Sequence, residues 1–134
     1  MPRTKKLSDK RKILLVEDDD SMRRFLEIVL QRADYDVITA EDGLAAMEVA
    51  FDSGIDGVVS DAVMPNLTGH DLCRILRQSS EMKDVPIVIL SGLEQDSADT
   101  KDCLADAYLL KSSCISEELV NKLSELFNKN ASLR

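Results

Sequence analysis

Five short apolar runs alternate with segments of helical periodicity along this chain, and that alternation leaves few folds open to it. The runs are Ile13-Leu14-Leu15-Val16 after Lys12, Val37-Ile38-Thr39-Ala40, Gly57-Val58-Val59-Ser60, Ile87-Val88-Ile89-Leu90 after Pro86, and Ala107-Tyr108-Leu109-Leu110. A strand that is apolar throughout, rather than at every second position, is buried on both faces, as in a parallel sheet. Between the runs, Met22, Phe25, Leu26, Val29 and Leu30 form one helical stripe. Asp42 is an N-cap for a helix carrying Leu44, Met47 and Phe51 on one stripe, and Gly54 stops it. Met64-Pro65-Asn66 is a turn, and Thr68 with Asp71 forms a capping box for a helix burying Leu72, Ile75 and Leu76. A last helix starts at Ser116, with Glu117 and Glu118 in its first turn and Leu119, Leu123, Leu126 and Phe127 as its core stripe. Residues 94–106 are rich in Asp and Ser, with Ala98, Cys103 and Leu104 as sparse anchors, so the helix between strands four and five is short or irregular. The pattern predicts an α/β fold, a five-stranded parallel sheet with helices on both faces. The mobile parts are residues 1–11 and 94–102.

Composition narrows the function. A chain of 134 residues, 44% hydrophobic and 31% charged, supports one globular core. No apolar stretch nears the roughly 20 residues of a membrane span, and no apolar signal core follows the first six residues. The expectation is a soluble, cytoplasmic protein with no membrane insertion. The net charge is −8, unevenly spread: six basic residues against Asp9 give residues 1–12 a charge of +5, leaving −13 for the rest. A body that acidic repels a phosphate backbone, so no direct nucleic-acid partner is expected, and a divalent cation or a basic partner suits it. Cys73, Cys103 and Cys114 are spaced 30 and 11 apart without a C-x-x-C pair, which makes neither a disulfide framework nor a zinc site. His70, the single histidine, reads as an exposed first-turn residue of the third helix.

In parallel α/β sheets the site lies beyond the carboxyl ends of the strands. Strand one ends in Glu17-Asp18-Asp19-Asp20, strand three in Asp61, strand four in Ser91-Gly92 and strand five in Lys111. Taken singly, these are a solvated loop, a turn residue and a surface lysine. Together they bring three carboxylates, a hydroxyl and an ammonium to one end of the sheet. Crowded carboxylates repel unless a cation joins them or some take up protons. Hard oxygen donors with room for water suit Mg²⁺. Beside a free carboxylate, a lysine and a hydroxyl, that is equipment for phosphoryl transfer to Asp61.

Over residues 10–129 the chain resembles the receiver domain of two-component response regulators, most of all the small stand-alone chemotaxis-type members. The likeness is carried by Ile13-Leu14-Leu15-Val16-Glu17-Asp18-Asp19, by residues 58–69 around Asp61 and Met64-Pro65, by Ile87-Val88-Ile89-Leu90-Ser91-Gly92 and by Ala107-Tyr108-Leu109-Leu110-Lys111. The resemblance implies a flavodoxin-like, doubly wound sheet of order 2-1-3-4-5. It implies that Asp61 accepts phosphate from a sensor histidine kinase or phosphotransfer protein, and that Glu17, Asp18, Asp61 and the Val63 backbone carbonyl hold Mg²⁺. Lys111 would contact the phosphoryl group, Ser91 would hydrogen-bond it, and Tyr108 would follow as an aromatic switch. A downstream protein target would then read the surface of the fourth helix, fifth strand and fifth helix. Such a protein is no enzyme beyond its own phosphorylation and dephosphorylation. The domain division is a basic tail over 1–11, a receiver domain over 12–129 and a C-terminal tail over 130–134.

Two departures from the family pattern stand out. Ser112 occupies the place of a proline usual after the lysine, and the interval from Ser91 to Lys111 is only 20 residues, with no glycine at 103–107. A non-proline cis bond costs roughly 2.5–4 kcal/mol, which predicts a trans Lys111–Ser112 peptide and a Lys111 displaced from Asp61. Three rival functions share parts of the pattern. Asp18-Asp19-Asp20-Ser21 loosely mimics the opening of haloacid-dehalogenase-type phosphatases, but no acidic pair follows strand four and the chain is too short for a cap domain. An FMN binder of flavodoxin type needs a phosphate-binding loop where this chain places acids. A receiver-like module used unphosphorylated for interaction is disfavoured by the complete acid, hydroxyl and lysine set.

Overall fold

The computed structural model describes residues 10–51, 54–92 and 104–132, with side chains through residue 129. Expectations for residues 1–9 and 93–103, including the helix between strands four and five, its anchors Ala98 and Cys103, and the mobility of residues 94–102, lie outside the described residues. The described elements run β1 (Lys12–Val16), α1 (Asp20–Arg32), β2 (Asp36–Ala40), α2 (Gly43–Ala50), β3 (Gly57–Asp61), α3 (Gly69–Arg77), β4 (Ile87–Ser91), β5 (Ala107–Leu110) and α4 (Ile115–Ser132). All strand pairs are parallel, in the order β2-β1-β3-β4-β5.

The continuous apolar runs have a direct cause. Successive side chains of a strand point to opposite faces, and here both faces are covered. Leu14, Val16, Val58, Ile87 and Ile89 join a core with Ala46, Ala50, Leu72 and Leu76 of α2 and α3. Ile13, Leu15, Val59, Val88 and Leu90 join a second core with Leu26 and Leu30 of α1 and Leu119, Leu123 and Phe127 of α4. Four of the central-strand residues, Ile13 to Val16, are wholly inaccessible to solvent. Each fully buried Leu or Ile contributes roughly 1.5–3 kcal/mol of transfer free energy, so the two-sided core is the main source of stability.

The helix starts follow the sequence. Asp19, Asp42 and Thr68 are N-caps, their side-chain oxygens accepting from the amides of Met22 at 3.0 Å, Ala45 at 2.8 Å and Asp71 at 3.1 Å. The last helix starts one residue before the expected Ser116, and Gly54 sits past the end of α2 at φ 64°.

The stripe expected on α2 is turned the wrong way. Leu44 and Phe51 are exposed, Met47 is half-buried, and the face against the sheet is Gly43, Ala46 and Ala50. The helix lies so close to its neighbours that a Cβ at Gly43 would come within 2.6 Å of the Leu67 Cβ, and close approach selects small side chains over large ones. On α1 the stripe holds at Leu26 and Leu30, while Phe25 is also exposed.

Candidate functional site

The parallel register aligns the ends of the central strands. Val16 pairs with Ser60, Asp61 with Leu90 and Ser91 with Leu110, so Glu17, Asp61, Ser91 and Lys111 emerge at one edge. Carboxylate oxygens of Glu17, Asp18 and Asp61 all lie within 4.8 Å of one another. Glu17 and Asp61 are buried and Asp18 is exposed, which gives the cluster one open side.

Lys111 closes the buried side. Its Nζ is 2.8 Å from Glu17 Oε1 and 3.1 Å from Asp61 Oδ2. Glu17 Oε1 is buried and faces the ammonium as its ion-pair partner. Glu17 Oε2 accepts the Asp19 amide at 3.1 Å. Burial pushes the Glu17 pKa up, aided by the Asp61 charge, while Lys111 and the Asp19 amide oppose the rise. Burial alone would depress the Lys111 pKa, but hydrogen bonds and charge from Glu17 and Asp61 outweigh it and hold that pKa above its ordinary value. Three carboxylates against one ammonium leave the cluster short of positive charge, the condition a divalent cation relieves. The donor set of hard oxygens, one side open to solvent, fits such an ion.

The backbone around the cluster is tightly tied. The Ala62 amide donates to the Leu90 carbonyl at 2.8 Å, the Gly69 amide to the Ala62 carbonyl at 3.0 Å, and the Lys111 amide to the Ser91 carbonyl at 2.8 Å. Gly69 has no room for a side chain, because a Cβ there would run into the Asp61 carbonyl oxygen. Ser91 is buried at the end of β4, and Val63 stands two residues beyond Asp61 with its side chain exposed. Tyr108 sits on β5, half-buried.

Two expectations need correcting. The Lys111–Ser112 peptide is trans, yet Lys111 is not displaced: its ammonium reaches both Glu17 and Asp61. Pairing with Ser91 fixes the lysine upstream of the departure, and Ser112 starts a turn of its own, donating from its amide to the Leu110 carbonyl at 2.8 Å. His70 is not an exposed surface residue either. It is half-buried, its ring stacked on Tyr108 at 5.9 Å between centroids. Sequence reasoning also passed over Arg23, which donates to the Glu17 carbonyl at 2.9 Å and to Asp20 Oδ1, bracing the loop after β1. The available signal was the Asp20–Arg23 spacing of three at a helix start.

Residues 13–124 match the response regulator receiver domain family. The chain belongs to that family. This receiver domain is similar to ArlR of Staphylococcus saprophyticus, 32% identical over 120 residues that cover 88% of this chain and 53% of that protein. It is similar to PilG of Pseudomonas aeruginosa, 32% identical over 106 residues and 78% of each chain. Among solved structures it resembles chemotaxis response regulator CheY4 of Vibrio cholerae, with a TM-score of 0.80, 31% identity, and coverage of 88% of this chain and 99% of that one. It resembles TrrA of Thermotoga maritima, solved in complex with Mg²⁺-BeF, with a TM-score of 0.79, 30% identity, and coverage of 87% and 98%. The chain spans about half the length of the first curated relatives it matches, 53% for ArlR and 42% for the ycf27 regulator of Porphyridium aerugineum. It is a phosphoacceptor receiver domain, with the clustered acidic site typical of aspartate phosphorylation. Receiver domains catalyse their own phosphorylation and dephosphorylation rather than turnover of an external substrate. Among the described residues no helix is long and apolar enough to cross a membrane.

Proposed function

We propose that Asp61 is the phosphoacceptor, taking a phosphoryl group from the phosphohistidine of a sensor kinase or phosphotransfer protein. The observation that carries this is the placement of Asp61, buried at the end of the central strand, with an ammonium 3.1 Å away and two further carboxylates within 4.8 Å. In the transfer an Asp61 oxygen forms the new P–O bond as the donor's P–N bond breaks, the bonding pair leaving with the imidazole nitrogen. Lys111 offsets charge on the phosphoryl oxygens from the protein side. Glu17, Asp18, Asp61 and the Val63 carbonyl are the residues that would hold Mg²⁺, and TrrA was solved in complex with Mg²⁺-BeF. The chemistry such an ion supplies is charge neutralisation on the transferring group. Ser91, buried at the end of β4, would hydrogen-bond the new phosphoryl group, and Tyr108 on the neighbouring strand would follow it.

The reading extends to the whole chain as a cytoplasmic signalling protein: a basic tail over 1–11, a receiver domain over 12–129 and a short tail over 130–134. Its output surface comprises the segment between β4 and β5, β5 itself and α4, and a downstream protein reads it. Acetyl phosphate with Mg²⁺ should add one phosphoryl mass to the wild type and none to Asp61→Asn, scored by intact mass. Equal labelling of the variant overturns the assignment, and repeated turnover of a small phosphomonoester would favour the phosphatase alternative instead.

A further inference from the structure

The imidazole of His70 lies against the ring of Tyr108 with centroids 5.9 Å apart and planes inclined by 25°. Its Nε2 is buried and has no hydrogen-bond partner among the described residues. The charged groups on the surrounding elements are already engaged. On α3, Asp71 pairs with Arg74 at 2.8 Å, and Arg77 reaches across to Asp106 at 2.7 Å at the start of β5. At the other end of β5, Lys111 is held by Glu17 and Asp61. β4 carries no ionisable side chain.

A stacked aromatic pair is attractive, but a buried nitrogen without a partner costs the arrangement free energy. The two effects oppose one another in the observed state. If Tyr108 swings out of the stack, Nε2 gains water or a hydroxyl as a partner, and the cost disappears. An element held by one interaction and loosened by another is poised between two positions.

We propose that His70 is a positioning residue for Tyr108: it holds the tyrosine in a stack weakened by its own unsatisfied Nε2, so that phosphorylation at Asp61 releases the ring more readily. The inference rests on the reading of Asp61 as acceptor and of Tyr108 as the residue that moves. The chain has no tryptophan and two tyrosines, so in a Tyr35→Phe background the emission reports Tyr108 alone. Mg²⁺ with beryllofluoride should change that emission with a saturable midpoint. His70→Phe keeps a ring for the stack and removes the nitrogen. It should raise the melting temperature of the free protein and move the beryllofluoride midpoint about tenfold higher. His70→Ala removes the stack and should shift the Tyr108 emission of the free protein toward that of the beryllofluoride state. An unchanged midpoint in His70→Phe, or a lower melting temperature, overturns the proposal. Acetyl phosphate labelling, run in parallel, separates the two layers. Labelled wild type with no Tyr108 response overturns the role of His70 and leaves Asp61 standing, whereas no labelling removes both.

Discussion

The amide of Lys111 donates to the carbonyl of Ser91 at 2.8 Å, the last rung of the ladder between β5 and β4. That hydrogen bond ties Lys111, whose ammonium lies 3.1 Å from Asp61, to Ser91 at the end of the adjacent strand. The lysine side chain leaves the backbone at a point set by sheet pairing and not by the loop that follows, which is why Ser112 leaves its reach intact.

Lys111→Met keeps the apolar stem and removes the charge. Glu17 and Asp61 then lose the ammonium that faces them, and leaving buried charge uncompensated costs on the order of 1–3 kcal/mol at neutral pH. Glu17 already has a raised pKa and will take up a proton more readily in the variant, so the deficit should shrink as pH falls. Labelling of Asp61 should slow by about 100-fold. Urea melts at two pH values and a timed mass assay check both, and a pH-independent deficit would contradict the charge argument.

Mg²⁺ should stabilise the fold by linkage, about 2.7 kcal/mol at a concentration 100 times its dissociation constant. Asp18 is the exposed member of the carboxylate cluster and is not paired with Lys111. Asp18→Ala should abolish most of the Mg²⁺-induced rise in melting temperature, and it should raise the stability of the chelator-treated protein by relieving repulsion. Equal Mg²⁺ shifts in wild type and variant would remove Asp18 from the ion site.

Asp71 has a depressed pKa, first through the Arg74 hydrogen bond and then through Thr68, both outweighing a small effect of burial. A carboxylate whose folded pKa lies below its ordinary 3.8 contributes stability that is fully present above that value and is lost as pH falls through the lower folded pKa. Its side chain is 44% exposed, so screening keeps the contribution small. Asp71→Asn should cost about 0.5 kcal/mol at neutral pH, with the gap closing as pH falls below 3.8 and through the lowered folded pKa. Chemical denaturation across that range checks the sign.

What the sequence made legible was what depends on local pattern. β1 was readable because a strand buried on both faces has no polar alternation, and Glu17, Asp18, Asp61, Ser91 and Lys111 were readable because each stands within two residues of the end of an apolar run. α2 misled because its large residues face solvent, while the close approach to Leu67 demands Gly43 and alanines. The His70–Tyr108 stack joins a helix to a strand 38 residues on, and no periodicity announces it. Arg77 is a similar case: it donates to the carbonyls of Leu104, Lys83 and Val85, and backbone acceptors leave no trace in side-chain identity.

Gly69→Ala places a Cβ against the Asp61 carbonyl oxygen, and backbone has little room to yield there. The expected loss is about 1–3 kcal/mol, as for overpacking of a tight core. Slower labelling of Asp61 should accompany it, because the displaced atom belongs to the proposed acceptor itself. A Cβ at Gly92 meets nothing within 4 Å, so Gly92→Ala should stay within about 0.5 kcal/mol of wild type. Comparable losses in both variants would argue that helix or loop propensity, not the contact at Asp61, sets the cost.

Ser112 joins the end of β5 to the start of α4. Its hydroxyl donates to Glu118 Oε1 at 3.1 Å and accepts the Cys114 amide at 3.2 Å, and its carbonyl accepts the Ile115 amide at 3.1 Å. Ser112→Ala removes the two hydroxyl bonds and leaves the backbone bonds in place. The loss should be about 1 kcal/mol, that of a helix-start cap, and localised as faster amide exchange in the first turn of α4. Lys111 is fastened upstream, through its amide on Ser91, so the rate of Asp61 labelling should stay within about twofold of wild type. If stability and labelling fall together, the lysine is being positioned by the turn at Ser112, and the ladder bond to Ser91 is not sufficient to hold it.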